Sequence, residues 1–289
     1  MIKEIEEKDL QNIVKFAWEL SRDKRKRSFP KIDTYKDMYN IFKKAIKDEK
    51  DKVLALYENG ELKGVLNLII SPEDNYIQGN GGIYSKDNFS NTATQFINYI
   101  KTHYTNYEVI FNYPSTNYEA INYMEEIQAE LIESCIVMEL DNLSFNYIEQ
   151  LNNKLVTKLK PDNYKEFGIF HDFNNPEMYW NSKRLLEEPN SFDIFVLMKD
   201  KKVVGSITIS TYEVFGKKAA EIFALTIDDK FQGVGLELAL LSESIKSTLD
   251  KGVENIIYFI EKDAKNELEA ASQVGFKEID DYNSYRIII

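Results

Sequence analysis

"AAEIFALTIDDKFQGVGLELALL", residues 219–241, changes character twice along its length. Ala219–Ile227 is apolar and β-branched, broken only by the charge of Glu221, and predicts a buried strand. "DDKFQGVG" predicts a loop, and "LELALLSESIKSTLDKG" (236–252) a helix with Leu238, Leu241, Ile245 and Leu249 as its core-facing stripe. Lys251 and Gly252 supply its C-terminal stop. Glycine inside a helix costs about 0.5–1 kcal/mol relative to alanine. Gly233 and Gly235, just ahead of one, therefore call for a backbone purpose: a left-handed turn, or a ligand against bare main chain. Strand, glycine loop and helix N-terminus in that order aim free N–H groups and a positive dipole end at one point, a seat for phosphate. The spacing is neither GxGxxG nor GxxxxGK[ST], so neither nucleotide-binding loop is implied.

Upstream, "IFVLMKDKKVVGSITIS" (194–210) predicts two strands with a turn near Asp200. It has a counterpart in "VLALYENGELKGVLNLII" (53–70), with the turn at Glu58–Gly60, and Gly205 and Gly64 fall at matching places. "LVTKLKPDNYKEFGIF" from Leu155, with Asp162 as cap, likewise matches "IKEIEEKDLQNIVKFA", with Asp9 as cap. The order strand, helix, hairpin, strand, helix, strand is written twice, which predicts duplication. We expect domains at 1–141 and 155–289, joined by the polar stretch 142–154.

Gln232–Gly233–Val234–Gly235 resembles the pyrophosphate-binding signature of the GNAT acyl-CoA N-acyltransferase superfamily, Gln/Arg-x-x-Gly-x-Gly/Ala. "AEIFALTI" is similar to the strand that carries a general-base glutamate in the histone-acetyltransferase branch, with Glu221 at that position. "NIIYFIEKDAKNELEAASQVGFKEID" (255–280) resembles the family's next strand and helix and its terminal Gly-Phe, here Gly275–Phe276. The resemblance covers residues 155–289. It implies an α+β fold of two tandem GNAT-like domains, each a central, mostly antiparallel, splayed sheet flanked by helices. It implies acetyl-CoA as co-substrate, with Leu225, Thr226 and Ile227 holding the pantetheine arm. Gln232, Gly233, Val234, Gly235, Leu236, Glu237 and Asn266 would then surround the pyrophosphate. A primary amine, deprotonated by Glu221 directly or through water, would attack the thioester with no covalent enzyme intermediate.

Three positions depart from the pattern. Glu237 stands where the signature has a small residue, Ala271 where many members carry the tyrosine that protonates the leaving thiolate, and Asn266 two residues out of register with the family's asparagine. Tyr258, Tyr282 and Tyr285 are unranked candidates for the acid. In the first half, "NYEAINYMEEIQAEL" (117–131) resembles the asparagine-containing helix, with Met124 for the tyrosine and Gln128 for the glycine. "QGNGGIY" (78–84) imitates the signature but precedes the next helix, which begins near Ser90–Asn91; "SKDNFSN" at that helix start has no glycine. The first domain is expected to have lost coenzyme binding.

The bulk composition bounds the rest. The chain has 289 residues, enough for two domains, with 43% hydrophobic and 13% aromatic content that fits packed cores. A formal charge of −12 argues against a nucleic-acid binder. The one basic run, "SRDKRKRSFP" (21–30), is expected to continue the preceding helix as a solvated end. The single cysteine, Cys135, lies in an alternating apolar run, so a buried strand thiol is expected and no intramolecular disulfide is possible. His103 and His171 have no partners at ligand spacing, and no metal is expected. No apolar run reaches the ~18–20 residues of a membrane span, and a cytoplasmic location is expected. The partner expected is a small-molecule or peptide amine, without nucleic acid or membrane; oligomeric state is open. The competing reading is a coenzyme-binding sensor or scaffold without turnover.

Overall fold

The computed structural model describes residues 1–176, 178–214 and 216–289. In chain order its elements are β1 (Ile2–Glu4), α1 (Leu10–Ser21), α2 (Tyr35–Lys47), β2 (Lys52–Glu58), β3 (Glu61–Ser71), β4 (Tyr76–Ser85), α3 (Phe89–His103), β5 (Glu108–Tyr113), α4 (Tyr118–Glu126) and β6 (Glu130–Asp141). There follow β7 (Val156–Lys158), α5 (Tyr164–Asn174), α6 (Ser182–Glu187), β8 (Phe192–Lys199), β9 (Lys202–Val214), β10 (Lys217–Ile227), α7 (Leu236–Leu249), β11 (Asn255–Glu261), α8 (Lys265–Gln273) and β12 (Lys277–Ile288). No described helix is long and apolar enough to cross a membrane.

The chain forms two compact units, Met1–Ser134 with Asp281–Ile289, and Cys135–Asp280. These bounds differ from those expected at 141 and 155. The C-terminal part of β6, Cys135–Asp141, ladders with β11, and the C-terminal part of β12, Asn283–Ile288, ladders with β5. Each unit thus takes its last strand from a segment that chain order alone assigns elsewhere. Residues 142–154 are no slack joint: Phe145 and Ile148 pack on the second unit's core.

In the first unit β1, β2, β3 and β4 pair antiparallel in that order, β4 and β5 pair parallel, and β5 pairs antiparallel with β12. In the second, β7, β8, β9 and β10 pair antiparallel, β10 and β11 parallel, and β11 antiparallel with β6. The same mixed pattern occurs twice. Strand side chains alternate between faces, and both faces are covered, which is why the strands read as unbroken apolar runs. Val53 and Ala55 pack with α1 and α2, Leu54 and Leu56 with α3 and α4. Ile194 and Val196 pack with α5 and α6, Phe195 and Leu197 with α7 and α8.

The matching glycines do matching work. A Cβ on Gly64 would lie 2.4 Å from Thr92 of α3, and one on Gly205 3.2 Å from Leu240 of α7, so each lets its helix settle on the sheet. Several local expectations change. Asp9 and Asp162 make no capping bond; each lies in a short 3₁₀ turn ahead of its helix. In α7 Leu241 and Ile245 are buried as expected, but so are Leu240, Ser242, Ser244 and Thr248, while Leu238 and Leu249 are only partly covered. The helix is enclosed on more than one face, by the sheet, by α8 and by the 151–155 turn. The basic run does not extend α1, which stops at Ser21; Arg27 and Ser28 are buried. Cys135 is a buried strand thiol.

Candidate functional site

The β10–β11 ladder runs only from Ala219–Asn255 to Ile222–Tyr258. A bulge in β10 follows at once, between Ile222 and Ala224, and the extra residue turns the strand while β9 stays paired as far as Ile227. Leu225, Thr226 and Ile227 are left with one edge toward a cleft of about 470 Å³, whose opposite wall is the segment Asp263–Glu267 at the start of α8. Asn175 closes one end, its Nδ2 donating to Thr226 Oγ1 at 3.4 Å and to the His171 carbonyl at 3.0 Å.

The chain leaves β10 through a turn at Asp229–Phe231 and reaches Gln232 on the cleft wall. Gly233 has φ +73° and Gly235 φ +81°, backbone conformations that cost a residue with a Cβ about 1–2 kcal/mol. Open space surrounds Gly233, whereas a Cβ on Gly235 would lie 3.1 Å from Gln150 Oε1. Gly235 is the N-cap of α7 and, as glycine, makes no side-chain cap bond. The loop is braced through its carbonyls: Gln150 Nε2 donates to Gly235 O at 3.1 Å, and Asn152 Nδ2 to Val234 O at 3.3 Å. Gly233, Gly235, Glu237 and Asn266 line a hollow of about 170 Å³ that shares Glu237 and Asn266 with the larger cleft. Val234 points outward, 58% exposed, and Leu236 is buried in the core.

The coenzyme residues expected from sequence therefore gather on two adjoining hollows, apart from Val234 and Leu236, whose side chains turn away. Glu237 does not turn away: it lines both hollows and is only 6% exposed. Asp229, Glu237, Asp263 and Glu267 give the larger cleft an acidic lining, with Lys265 as its cation.

Glu221 stands apart from both hollows. It lies inside the ladder, opposite Ser210 and Ile257, on the last turnover of the pleat before the bulge. Its neighbours Ala220 and Ile222 are buried toward α7 and α8, so Glu221 faces the α5–α6 side, where Phe223 packs against Trp180 and Phe192. Burial first and the Glu221 carboxylate second push the Tyr212 phenol above its ordinary pKa.

Sequence reasoning missed Glu267, which nothing in the pattern separates from other surface glutamates. The Tyr258 hydroxyl donates to Glu267 Oε1 beside the cleft. Burial drives Glu267 up to about 7; the Tyr258 hydrogen bond opposes this, and the charges of Glu237 and Glu261 add to it. Tyr258, fully buried, stays a phenol at any physiological pH because burial and then the Glu267 charge raise it. Of the three tyrosines considered as acids, Tyr258 belongs to the unit with the cleft, whereas Tyr282 and Tyr285 belong to the first unit.

Residues 155–276 match the model of the Acetyltransferase (GNAT) family. No curated protein matches the chain by sequence. Among solved structures, a GCN5-related N-acetyltransferase from Sphaerobacter thermophilus is 13% identical with a TM-score of 0.63, over 99% of this chain and 95% of that one. A tandem GNAT protein from the clavulanic acid biosynthesis pathway is 9% identical with a TM-score of 0.52, over 99% of this chain and 98% of that one. A glucosamine N-acetyltransferase region in a fungal GH3 β-N-acetylglucosaminidase is 11% identical with a TM-score of 0.64, over 99% of this chain and 38% of that one. The family match thus falls on the unit that holds the open cleft, where residues 155–276 are similar to the GNAT acetyltransferase family, and the whole chain shares the fold of a tandem GNAT protein.

Proposed function

We propose that the second unit is an acetyl-CoA-dependent N-acetyltransferase acting on a primary amine of a small molecule or peptide, in the cytoplasm. The observation that carries this reading is the parting of β10 from β11 after Ile222–Tyr258, which leaves an unpaired strand edge leading straight to an uncapped, glycine-gated helix N-terminus. In this reading the pantetheine arm runs along Leu225–Ile227, and the amides of Gly233 to Glu237 receive the pyrophosphate, with Gln232 and Asn266 at its flanks.

The acceptor approaches from the α5–α6 side, where Glu221, directly or through a water, takes its proton. The amine nitrogen bonds to the thioester carbon, the carbon–sulfur bond breaks, and the departing thiolate needs a proton from the opposite side of the sheet. Glu267 supplies it: its Oε1 accepts from Tyr258, which leaves the other carboxyl oxygen able to carry a proton near neutral pH. This assigns to the Glu267–Tyr258 pair the role that Ala271 leaves empty.

The test is release of CoA thiol from acetyl-CoA when a panel of amines is offered. Turnover that falls by about 10²–10⁴ in Glu221→Gln, with coenzyme binding retained, supports the base; equal rates remove Glu221 from the mechanism. Gly235→Trp should abolish coenzyme binding while the fold survives. The acidic lining favours a second reading, a coenzyme-binding sensor or scaffold without turnover. Binding of acetyl-CoA with no CoA thiol released in the presence of any amine would select it.

A further inference from the structure

The first unit has the same parting of strands. Its β4–β5 ladder runs only from Tyr76–Glu108 to Gln78–Ile110, and the strands separate beyond it. The gap is filled by the unit's own chain. The amide of Phe29 donates to the Asn112 carbonyl of β5 at 3.0 Å. Asn112 is within the β5–β12 ladder on its other side, so this bond takes the edge that faces β4. Arg27 and Ser28 are 8% and 3% exposed, and Asn117 Nδ2 holds the Arg27 carbonyl at 2.9 Å. A Cβ on Gly82 would lie 2.6 Å from Ser28 Cβ, and Gly82 has φ +64°. Gly82 of "QGNGGIY" thus makes room for a strap of polypeptide rather than for a phosphate. Phe29 stacks on Tyr282 with ring centroids 4.3 Å apart and planes 11° apart.

The adjoining helix start is occupied as well. Asn88 is the N-cap of α3, and its side chain accepts from the Asn91 amide at 3.1 Å. The corresponding end of α7 has no such cap. Two independent features, main-chain pairing along the strand edge and a side chain on the helix terminus, take up in the first unit what the second leaves free.

We infer that residues 27–29 are a built-in strap occupying the first unit's sheet opening in place of an acyl-CoA arm, so that the chain takes one coenzyme per polypeptide. The count rests on the coenzyme reading of the second unit; the strap itself does not. Titration calorimetry with CoA should give one site per chain in the wild type and none in Gly235→Trp. Two sites in the wild type, or one site surviving in Gly235→Trp, would overturn the inference. Hydrogen exchange on the full chain without coenzyme decides the strap separately. The Phe29 amide should exchange at least ~100-fold more slowly than in an unstructured peptide. Free-peptide exchange across 27–29 would remove the strap, even where calorimetry finds one site. If the wild type binds no CoA while that amide is protected, the second unit's reading fails and the strap stands.

Discussion

Burial holds Glu267 at about 7, where a free glutamate titrates at 4.5. Between those values the folded chain keeps a proton that the unfolded chain releases, so this group's contribution to stability falls as pH rises from about 4.5 to 7 and is constant above. Glu267→Gln cannot ionise and removes the slope. The variant should therefore gain on the wild type between pH 5 and pH 8 in urea-unfolding free energy, and a difference independent of pH would refute the buried acid. In kinetics the same group is competent below about 7 and spent above it, so kcat should decline on the alkaline side. Glu267→Gln should lose that decline along with most of its rate. Glu237, a buried carboxyl lining the hollow proposed for the pyrophosphate, would work against the coenzyme. Glu237→Gln should tighten CoA about fivefold, roughly 1 kcal/mol for one unit charge at this range in a partly screened site. Unchanged or weaker binding in calorimetry would mean the pyrophosphate lies elsewhere.

At the scale of elements, the outcome turns on where strands stop pairing. The bulge after Ile222 is one residue long, yet it decides that Leu225–Ile227 border a cleft instead of a neighbour. The helices are held close by small residues beneath them. Gly205→Val would drive its branched side chain against Ile227 Cδ1, which would lie 2.8 Å from its Cβ, and against Leu240 Cδ1 at 3.2 Å. It should cost about 1–3 kcal/mol in urea unfolding and displace the start of α7, weakening CoA binding with it. A loss of stability without any change in affinity would show that the loop does not depend on this packing. The hairpins, the strand at 219–227 and the α7 start were legible in the sequence because alternation, turn residues and glycines are local signals. The strap was not. Its basic residues read as a solvated helix end, whereas the distant Asn112 carbonyl, Asn117 amide and Tyr282 ring draw Arg27 to Phe29 inward.

For the whole molecule, the ends of β6 and β12 matter most. Residues 281–289 belong to the first unit, where Tyr285 is buried in its core and Arg286 pairs with Glu130 at 2.8 Å. A chain ending at Asp280 should lose hydrogen-exchange protection in β5, residues 108–113, while β10 and β11 keep theirs. Loss confined to the second half would favour the chain-order domains 1–141 and 155–289.

Sequence by itself determined the fold family, the duplication and the glycine-gated helix start, because each is written in residues close together along the chain. Tertiary structure alone decided that Glu237 faces the cleft, that Glu267 is a buried acid on Tyr258, and that one sheet opening is filled while the other is free. Each of those depends on the surroundings a side chain or a carbonyl meets after folding, and burial, which sets both the charge of a carboxyl and the occupant of a gap, has no local signature.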